Sequence, residues 1–378
     1  MDFTFTDEQN MLRDAIAKFI AAEYDFDKRR AMLKSADAWK KNWASFAELG
    51  LLAAPLPEAH GGLGGGPVEI LVIMEEFGKG LVTEPFMQTA VIAGLLIAEA
   101  GSEAQKAEHL PAIAGGERVF AFAYAEPKGR FNLADLSVAA KKEKGGFVLN
   151  GQKSVVIGAP QADHLIVTAR TAGAQRDAKG VSLFIVPKSA KGVSLREYPT
   201  IDGFKAAEVY FENVSLPAEA ALGEIDAALP LIEKAADHAI AALAAESVGA
   251  MRVMHQLTLE YAKQRKQFGV PISTFQVLQH RMVDMFMAVE QSVSMAYMAT
   301  LQLGADAETR TKAASAAKVQ IGKAGRLVGQ SAIQIHGGMG MTDEMRVGHY
   351  FKRATMIDPQ FGDVDHHLKR FSALSLAA

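Results

Sequence analysis

Two short motifs in the C-terminal third combine residue types that can bind a phosphorylated ligand. The first reads Arg265-Lys266-Gln267-Phe268-Gly269, and Phe275-Gln276 follows shortly after it. An arginine at a helix end can bind a phosphate through two hydrogen bonds while a neighbouring ring packs beside the ligand. The same residues are also typical of a helix C-terminus, where arginine stabilises the helix dipole and glycine ends the helix. Taken alone, this motif favours the helix end.

A second motif places adjacent glycines after a helical stretch. It reads Gln334-Ile335-His336-Gly337-Gly338-Met339-Gly340. Paired glycines let backbone amides approach a ligand closely, but they also simply end helices. His336 could act as a general base, although a lone histidine beside a glycine turn is more often a polar surface or capping group. The motif alone does not decide between a binding turn and a helix end.

A third glycine-rich stretch spans residues 60–66 and reads His-Gly-Gly-Leu-Gly-Gly-Gly. No strand pattern precedes it, so it does not fit a dinucleotide-binding fingerprint, which requires a strand before the glycines. We expect a tight crossing between helices at this point.

Hydrophobic periodicity divides the chain into three segments, which we expect to be domains: residues 1–116, 117–223 and 224–378. The first segment has a helical pattern. Thr6 and Gln9 form a capping box at the start of one helix, and a second predicted helix, from Trp39 to Leu49, ends at Gly50.

The middle segment changes to the pattern of strands. Asn150-Gly151 separates two apolar runs and predicts a hairpin with a type I′ turn. Further strands are predicted over residues 165–167, 181–186 and 209–211, where apolar runs are separated by Gly, Pro and Asp. This segment is predicted to be a small antiparallel β domain, either a sandwich or a barrel.

The last segment is helical again, with predicted helices over residues 231–264, 274–298 and 309–335. An alanine-rich run over residues 313–324 indicates close helix packing in a bundle. The predicted fold class is therefore α+β, in the order helices, strands, helices.

The composition limits the classes of function. Hydrophobic residues make up 49% and charged residues 22% of the 378 residues, as in ordinary globular proteins. The net charge of −3 favours neither general nucleic-acid binding nor binding to an anionic membrane. The chain has no cysteine, which excludes disulfides, thiolate catalysis and thiolate metal sites. The acidic N-terminus lacks a signal-peptide pattern, and the apolar run 91–97 is too short to insert across a bilayer, so we expect a cytoplasmic protein.

In this order, the motifs make the chain resemble the acyl-CoA dehydrogenase family. The resemblance rests on the two C-terminal motifs and on Phe275-Gln276 with Gln279-His280, all following a central β segment. Residues 211–217 with Leu222-Gly223 are similar to the exit strand of that family's β domain, and residues 47–51 and 75–78 fit its N-terminal domain. The resemblance covers essentially the whole chain. It implies the acyl-CoA dehydrogenase fold: an N-terminal helical domain, a middle antiparallel β domain and a C-terminal helical bundle.

The resemblance also implies FAD-dependent α,β-dehydrogenation of an acyl-CoA thioester, with electron-transfer flavoprotein as the acceptor. In that family a carboxylate takes the α-proton, hydride passes from the β-carbon to flavin N5, and FAD lies between subunits of an oligomer. Residues implied to contact the diphosphate and adenosine half of an FAD seated mainly in a neighbouring subunit are Arg265, Gln267, Phe268 and Gln276. Those implied to receive the adenine and ribose are Gln334, Gly337 and Gly338.

On the flavin-ring side, the sequence departs from the family's pattern. The family usually has Thr-Glu-Pro followed by small residues, whereas this chain has Ala125-Glu126-Pro127 followed by Lys-Gly-Arg. A family strand of the form Lys-x-Trp-Ile-Thr here reads Lys-Ser-Val-Val-Ile over residues 153–157. A stacking ring and a hydroxyl donor have become aliphatic, which removes specific flavin contacts.

The family's catalytic base is also missing at its usual place. The Tyr-Glu-Gly-Thr motif aligns with residues 361–364, so Gly362 stands where the glutamate should be and Asp363 is one residue away. Some members place the base on the first long helix of the C-terminal domain, and that position is Ala239 here. Glu246 lies two turns further on and is a candidate for a perturbed pKa, although a carboxylate paired between packed helices is the simpler interpretation. The catalytic residue is therefore unknown.

The losses affect the half of the flavin site that a subunit builds for itself, while the retained motifs form the half that it lends to a neighbour. That asymmetry resembles the small, degenerate subunit of heteromeric acyl-CoA dehydrogenases, such as pimeloyl-CoA dehydrogenase and those acting on steroid side-chain thioesters. The expected partner is a catalytic subunit of the same family. Two alternatives stay open: a self-sufficient homo-oligomer with an atypical base, and a non-enzymatic scaffold of the same fold.

Overall fold

The computed structural model describes residues 4–376. Contacts within the chain define two compact units, each with its own core. The helical unit contains residues 4–36, 67–82 and 240–376, and the mixed unit contains residues 37–66 and 83–239. Within residues 4–376, no helix is long and apolar enough to cross a membrane.

The helical unit contains short N-terminal helices and a C-terminal group of long ones. Thr6 caps the first helix, and the predicted capping box with Gln9 is confirmed. The helices are α1 (Asp7–Glu23), α2 (Phe26–Leu33), α4 (Pro67–Gly80), α7 (Leu229–Gln264, in this unit from residue 240), α8 (Gln276–Leu301), α9 (Ala307–His336), α10 (Arg346–Ile357) and α11 (Val364–Leu376). A two-stranded hairpin, β9 (Lys266–Gln267) and β10 (Val270–Pro271), lies between α7 and α8. The three long helices predicted from periodicity are confirmed as α7, α8 and α9.

A close helix crossing in this unit depends on two glycines. A Cβ on Gly78 of α4 would lie 2.0 Å from the carbonyl oxygen of Glu246 in α7, and one on Gly249 would lie 1.9 Å from that of Glu75. Only glycine permits helices to approach this closely, because any side chain at either position would overlap the facing backbone. The crossing fixes the part of α7 that carries Glu246.

The mixed unit combines helices with one eight-stranded sheet. Its helices are α3 (Trp39–Glu48), a π-helix (Met87–Ala93), α5 (Gly94–Ala100) and α6 (Glu103–Ala114). Its strands are β1 (Phe120–Ala123), β2 (Ala139–Glu143), β3 (Gly146–Ile157), β4 (His164–Arg170), β5 (Val181–Pro187), β6 (Val193–Pro199), β7 (Lys205–Pro217) and β8 (Ala221–Leu222). The sheet order is β6-β7-β3-β2-β4-β5-β8, and β1 pairs in parallel with β4. Strand β2 also pairs in parallel with β4, at Ala139 and Arg170, and the remaining strand pairs are antiparallel. The predicted α+β class is confirmed.

The hairpin predicted at Asn150-Gly151 is wrong. Strand β3 continues through both residues, and β2 turns into β3 at Lys144-Gly145 instead. The register with β7 shifts at Asn150-Gly151 because β7 carries one extra residue, a bulge at Glu212-Asn213 opposite Asn150, and the Asn150 side-chain oxygen accepts a hydrogen bond from the Asn213 backbone N–H at 2.8 Å. The dipeptide that favours a tight turn here serves a strand irregularity, which a local pattern does not distinguish from a turn.

The glycine-rich loop 60–66 is not a helix crossing either. It folds back onto residues 53–57 of the same unit, with the backbone N–H groups of Leu63, Gly64 and Gly65 donating to carbonyls of that segment. A Cβ on Gly62 would lie 2.0 Å from the Leu56 carbonyl oxygen. The glycines are needed because backbone packs directly on backbone, not because two helices cross.

Candidate functional site

The first predicted binding motif lies at the end of α7. The Arg265 N–H donates to the Tyr261 carbonyl at 2.8 Å, and the Arg265 carbonyl accepts from Ile272 N–H at 2.8 Å, which closes the β9–β10 hairpin. Phe268 and Gly269 form its tip with φ of +52° and +82°. Both central residues therefore adopt the left-handed conformation of a type I′ turn, which asparagine and glycine prefer and phenylalanine does not.

Phe268 is the most exposed large apolar side chain that the structure describes, at 91% of its surface. Its ring meets Phe275 edge-to-face at a centroid distance of 6.2 Å, and Phe275 packs against the core of the helical unit. Apart from that edge contact, this strained turn leaves nearly all of the Phe268 side chain outside the core of its own unit. Such an arrangement is typical of a residue that packs against another molecule.

The polar side chains of the predicted half-site are all exposed. Within residues 4–376 their side chains make no hydrogen bond or ion pair, so the Arg265 guanidinium does not cap α7 by bonding its terminal carbonyls. Their hydrogen-bonding capacity is available to a ligand or a second subunit. These side chains are Arg265, Gln267, Gln276 and Gln334.

The second motif forms the end of α9. The helix ends at His336, and Gly337 follows with φ of +60° while its N–H donates back to the carbonyls of Gln334 and Ile333. A Cβ added to Gly337 or Gly338 would meet nothing within 4 Å. The glycines therefore lie beneath open space rather than against packed neighbours, which fits close approach of a nucleotide to this turn.

His336 is not the surface or capping group that its place beside the glycines suggested. Its side chain is only 2% exposed, and its Nδ1–H donates to the Ala332 carbonyl at 2.8 Å. The ring stacks on Tyr261 of α7 with 4.5 Å between centroids and 26° between planes. Burial lowers the pKa of His336, so the imidazole is a neutral core group.

In the mixed unit, two residues shared with the flavin-ring pattern of the family form a buried ion pair. Lys153 Nζ lies 2.7 Å from Glu126 Oε1 and also donates to Thr168 Oγ1 at 2.8 Å. Burial lowers the pKa of Lys153 to about 8, and Glu126 opposes that shift. Glu126 also accepts from the backbone N–H groups of Ser137 and Val138, so it closes the loop 127–136 at its base. These retained residues hold the framework together.

The replaced residues of the same pattern carry neither an aromatic ring nor a hydroxyl. Val155, which stands where the family has tryptophan, is 47% exposed and has φ of +51°, an outlier for a β-branched residue. Ile157 replaces the threonine and offers no hydroxyl. On the flavin-ring side, the chain thus keeps the buried Glu126–Lys153 pair and lacks the tryptophan and threonine side chains that would contact a flavin ring. An FAD ring does not fit the chemistry of this chain's own strand, whereas the nucleotide-side residues do fit the other half.

Glu208 is a structural residue that sequence reasoning missed. Its buried carboxylate accepts from Ser154 Oγ at 2.6 Å, Tyr198 Oη at 2.8 Å and Gln152 Nε2 at 3.0 Å, and it lies 3.4 Å from the Val155 nitrogen. Burial alone would raise the pKa of Glu208, but these hydrogen bonds lower it. The network holds the strained backbone of Val155 across three strands. No local sequence pattern predicts this network, because Glu208 lies on β7 and its donors come from β3 and β6.

The position of the expected base offers no carboxylate. Gly362 has φ of +120°, and a Cβ there would lie 2.5 Å from His366 Cδ2 and 2.7 Å from His367 Nε2. Asp363 is engaged elsewhere, because its Oδ1 accepts from the His366 N–H at 2.9 Å and caps α11. Buried Lys318 donates to the Gly362 carbonyl at 2.6 Å and closes the loop from the other side.

The second candidate base is also occupied. Arg353 Nε lies 2.6 Å from Glu246 Oε1 and Arg353 Nη2 lies 2.7 Å from Oε2, with both side chains buried. The interpretation of Glu246 as a carboxylate paired between packed helices is thus confirmed. Ala239, the alternative base position, is fully buried and carries no ionisable group.

Comparison with known proteins gives consistent matches along the chain. The family model described as acyl-CoA dehydrogenase, N-terminal domain, matches residues 6–117. The middle-domain model matches residues 121–214, and the C-terminal-domain model matches residues 229–369.

Individual relatives agree with these matches. Acyl-CoA dehydrogenase FadE12 of Mycobacterium tuberculosis is 31% identical over 352 residues, which cover 91% of this chain and 90% of the relative. A variant of the Tcur3481-Tcur3483 steroid ACAD superimposes with a TM-score of 0.88 at 29% identity, covering 98% of both chains. The FAD complex of PigA gives a TM-score of 0.90 at 25% identity over 100% of both chains.

Proposed function

Because this chain belongs to the acyl-CoA dehydrogenase family, we propose that it is the non-catalytic subunit of a heteromeric FAD-dependent acyl-CoA dehydrogenase. In this proposal it completes the flavin site of a catalytic partner subunit. The three segments 1–116, 117–223 and 224–378 are its proposed domains. The substrate of the assembly is an acyl-CoA thioester, and electron-transfer flavoprotein is the proposed electron acceptor.

The observation that carries this proposal is where the family's residues are retained and where they are lost: the exposed nucleotide-side residues are retained, and the residues that would touch the flavin ring are replaced. Arg265, Gln267 and Gln334 are exposed with unpartnered side chains in the described chain, as a half-site offered to another subunit requires. Glu126 and Lys153 are retained but buried, so they explain the fold of the ring-side strand and not a ligand contact. The two positions that would touch a ring carry the aliphatic residues Val155 and Ile157.

The proposed roles of FAD, of this chain and of the partner subunit follow from the chemistry that each can supply. FAD supplies the hydride acceptor when it is bound. Arg265 would hold its diphosphate through charge-assisted hydrogen bonds, and the open turn at Gly337-Gly338 would receive the adenosine through backbone contacts. Removal of the substrate's α-proton needs a carboxylate within hydrogen-bond reach. Glu246 and Asp363 are both committed to other partners, so the partner subunit would supply that carboxylate.

One of the similar structures supports a two-protein assembly, since the Tcur3481-Tcur3483 steroid ACAD is named as a pair. A self-sufficient homo-oligomer is the second candidate, and it would need a base other than those described above. A non-enzymatic scaffold is disfavoured because a scaffold has no use for an unpaired Arg265 and an open glycine turn together.

Flavin content tests the proposal. The chain would be purified alone and together with a glutamate-bearing family member from the same organism, and bound flavin would be measured by absorbance after removal of free FAD. We expect little flavin on the chain alone and one flavin per pair of chains in the co-purified assembly. Arg265→Ala in the assembly is the matched variant, because it removes the ligand contact at an exposed position. A full complement of flavin on the chain alone would contradict the proposal.

A further inference from the structure

The two binding motifs are distant in sequence, yet one ring stack joins their supports. Tyr261 lies one turn before Arg265, and its carbonyl accepts the Arg265 N–H at 2.8 Å. His336 immediately precedes Gly337. The rings of Tyr261 and His336 stack with centroids 4.5 Å apart, so the spacing between the end of α7 and the end of α9 is set at this contact.

The His336 ring is fixed in orientation as well as in position. Its Nδ1–H donates to the Ala332 carbonyl one turn back, which selects a tautomer in which Nε2 carries no proton. Nε2 is buried and has no hydrogen-bond partner among residues 4–376. An apolar side chain would fill this space without leaving a polar atom unsatisfied. The imidazole therefore has a cost that filling space alone does not explain.

We propose that His336 is a positioning residue of the flavin half-site, which through its stack on Tyr261 sets the distance between the Arg265 guanidinium and the Gly337-Gly338 turn. This inference rests on the proposed function, since it concerns the same nucleotide-side contacts. Arg265 would bind the diphosphate of FAD while the Gly337-Gly338 turn binds the adenosine of the same FAD molecule. Both contacts can form together without straining the ligand only if the two helix ends keep a suitable separation, because one FAD molecule bridges them.

A double-mutant cycle between two residues that do not touch tests the idea. His336→Leu keeps apolar volume and removes the stack, and Arg265→Ala removes the guanidinium. The affinity of the assembled enzyme for FAD would be measured for both single variants and for the double variant, with urea unfolding of each. Tyr261→Leu breaks the same stack from the other side and serves if His336→Leu does not fold. His336→Phe keeps a stacking ring and is the conservative control.

We expect His336→Leu to weaken FAD binding about fivefold or more and His336→Phe to stay within about twofold of the wild type. In the double variant, the fold-loss of FAD affinity should be at least about threefold smaller than the product of the two single losses. The reason is that an arginine already displaced by His336→Leu contributes little to FAD binding, so removing it costs little more. Losses of unfolding free energy should simply add. Multiplicative losses in FAD affinity would show that His336 supports the core only and would overturn the inference.

Unchanged FAD affinity on Arg265→Ala is a different outcome. It would contradict the proposed function itself, and the positioning role of His336, which rests on that function, would be contradicted as well. The two failures are therefore distinguishable by the single Arg265 variant.

Discussion

The Glu246 carboxylate and the Arg353 guanidinium form a buried, two-point ion pair with N–O distances of 2.6 and 2.7 Å. The pair joins α7 to α10 within the helical unit, beside the crossing at Gly78 and Gly249. Both carboxylate oxygens are engaged by Arg353. A carboxylate held in this way serves the packing of helices and is not poised to accept a proton from substrate.

Breaking this pair should destabilise the protein without affecting flavin chemistry. Glu246→Gln removes the negative charge from this buried pair, and loss of one partner of a buried pair costs roughly 3–5 kcal/mol. Urea unfolding of the single variant would measure the loss. The double variant Glu246→Leu with Arg353→Met is the control, since removing both charges should cost less than the single change. A single variant as stable as the wild type would contradict this account of the pair.

Restoring a glutamate at the usual family position should fail. At φ of +120° and with His366 2.5 Å from an added Cβ, Gly362→Glu forces the loop to move, at a cost of about 1–3 kcal/mol. We expect both Gly362→Glu and Gly362→Ala to lower the unfolding free energy, because the strain arises at Cβ. Neither variant should gain the ability to reduce bound flavin with acyl-CoA. A stable, active Gly362→Glu variant would show that only the side chain was missing.

Phe268 should lower the free energy of unfolding of the isolated chain. Phe268→Asn creates an Asn-Gly tip that suits the type I′ geometry, so we expect unfolding free energy to rise by roughly 0.5–1 kcal/mol. The same change should weaken flavin binding in the assembly, because the exposed ring is lost. Phe268→Leu is the matched control, since it removes the ring and keeps the backbone strain. Loss of stability in Phe268→Asn would show that the ring supports its own unit.

Acid should destabilise the fold through buried histidines. Burial lowers the pKa of His109 to about 4 and of His367 to about 3, below the ordinary value near 6.5. The folded state therefore binds these protons less readily than the unfolded state. Above about pH 6.5 both imidazoles are neutral in both states, and the free energy of unfolding falls as the pH drops from there toward the folded-state pKa values of about 4 and about 3.

Thermal unfolding between pH 7 and pH 4 would check this expectation. His367→Gln should flatten the dependence of the melting temperature on pH, because it removes one of these groups. His280→Gln at an exposed position is the control and should leave the slope unchanged. An equal slope in His367→Gln and the wild type would assign the acid sensitivity to other groups.

The elements with strong periodicity could be predicted from sequence. Helices α7 and α9 carry long apolar patterns and end close to the predicted residues, because their length and caps are local properties. The hairpin predicted at Asn150-Gly151 was wrong because a residue pair that favours a tight turn can also lie within a continuous strand, here opposite a bulge of β7. Which of the two forms depends on pairing with β7, a contact distant in sequence.

The site divides in the same way. The exposed half-site is carried by compact motifs, and its assignment to FAD contacts remains a prediction for the variants above. The partners of Glu246 and Glu208 come from remote strands and helices, so no local pattern identified them. The buried stack of His336 on Tyr261 was missed for the same reason, since a histidine beside glycines gives no sign of burial.

Anaerobic reduction of bound flavin tests the central claim most directly. The chain alone, reconstituted with FAD, would be mixed with medium-chain, dicarboxylyl and steroid-chain CoA thioesters, and the loss of flavin absorbance would be followed. The same measurement would be made after adding a glutamate-bearing partner subunit. We predict no loss of absorbance with the chain alone and stoichiometric loss once the partner is present. Stoichiometric loss with the chain alone that disappears in Glu246→Gln, in protein shown to be folded, would contradict the account and make Glu246 the base.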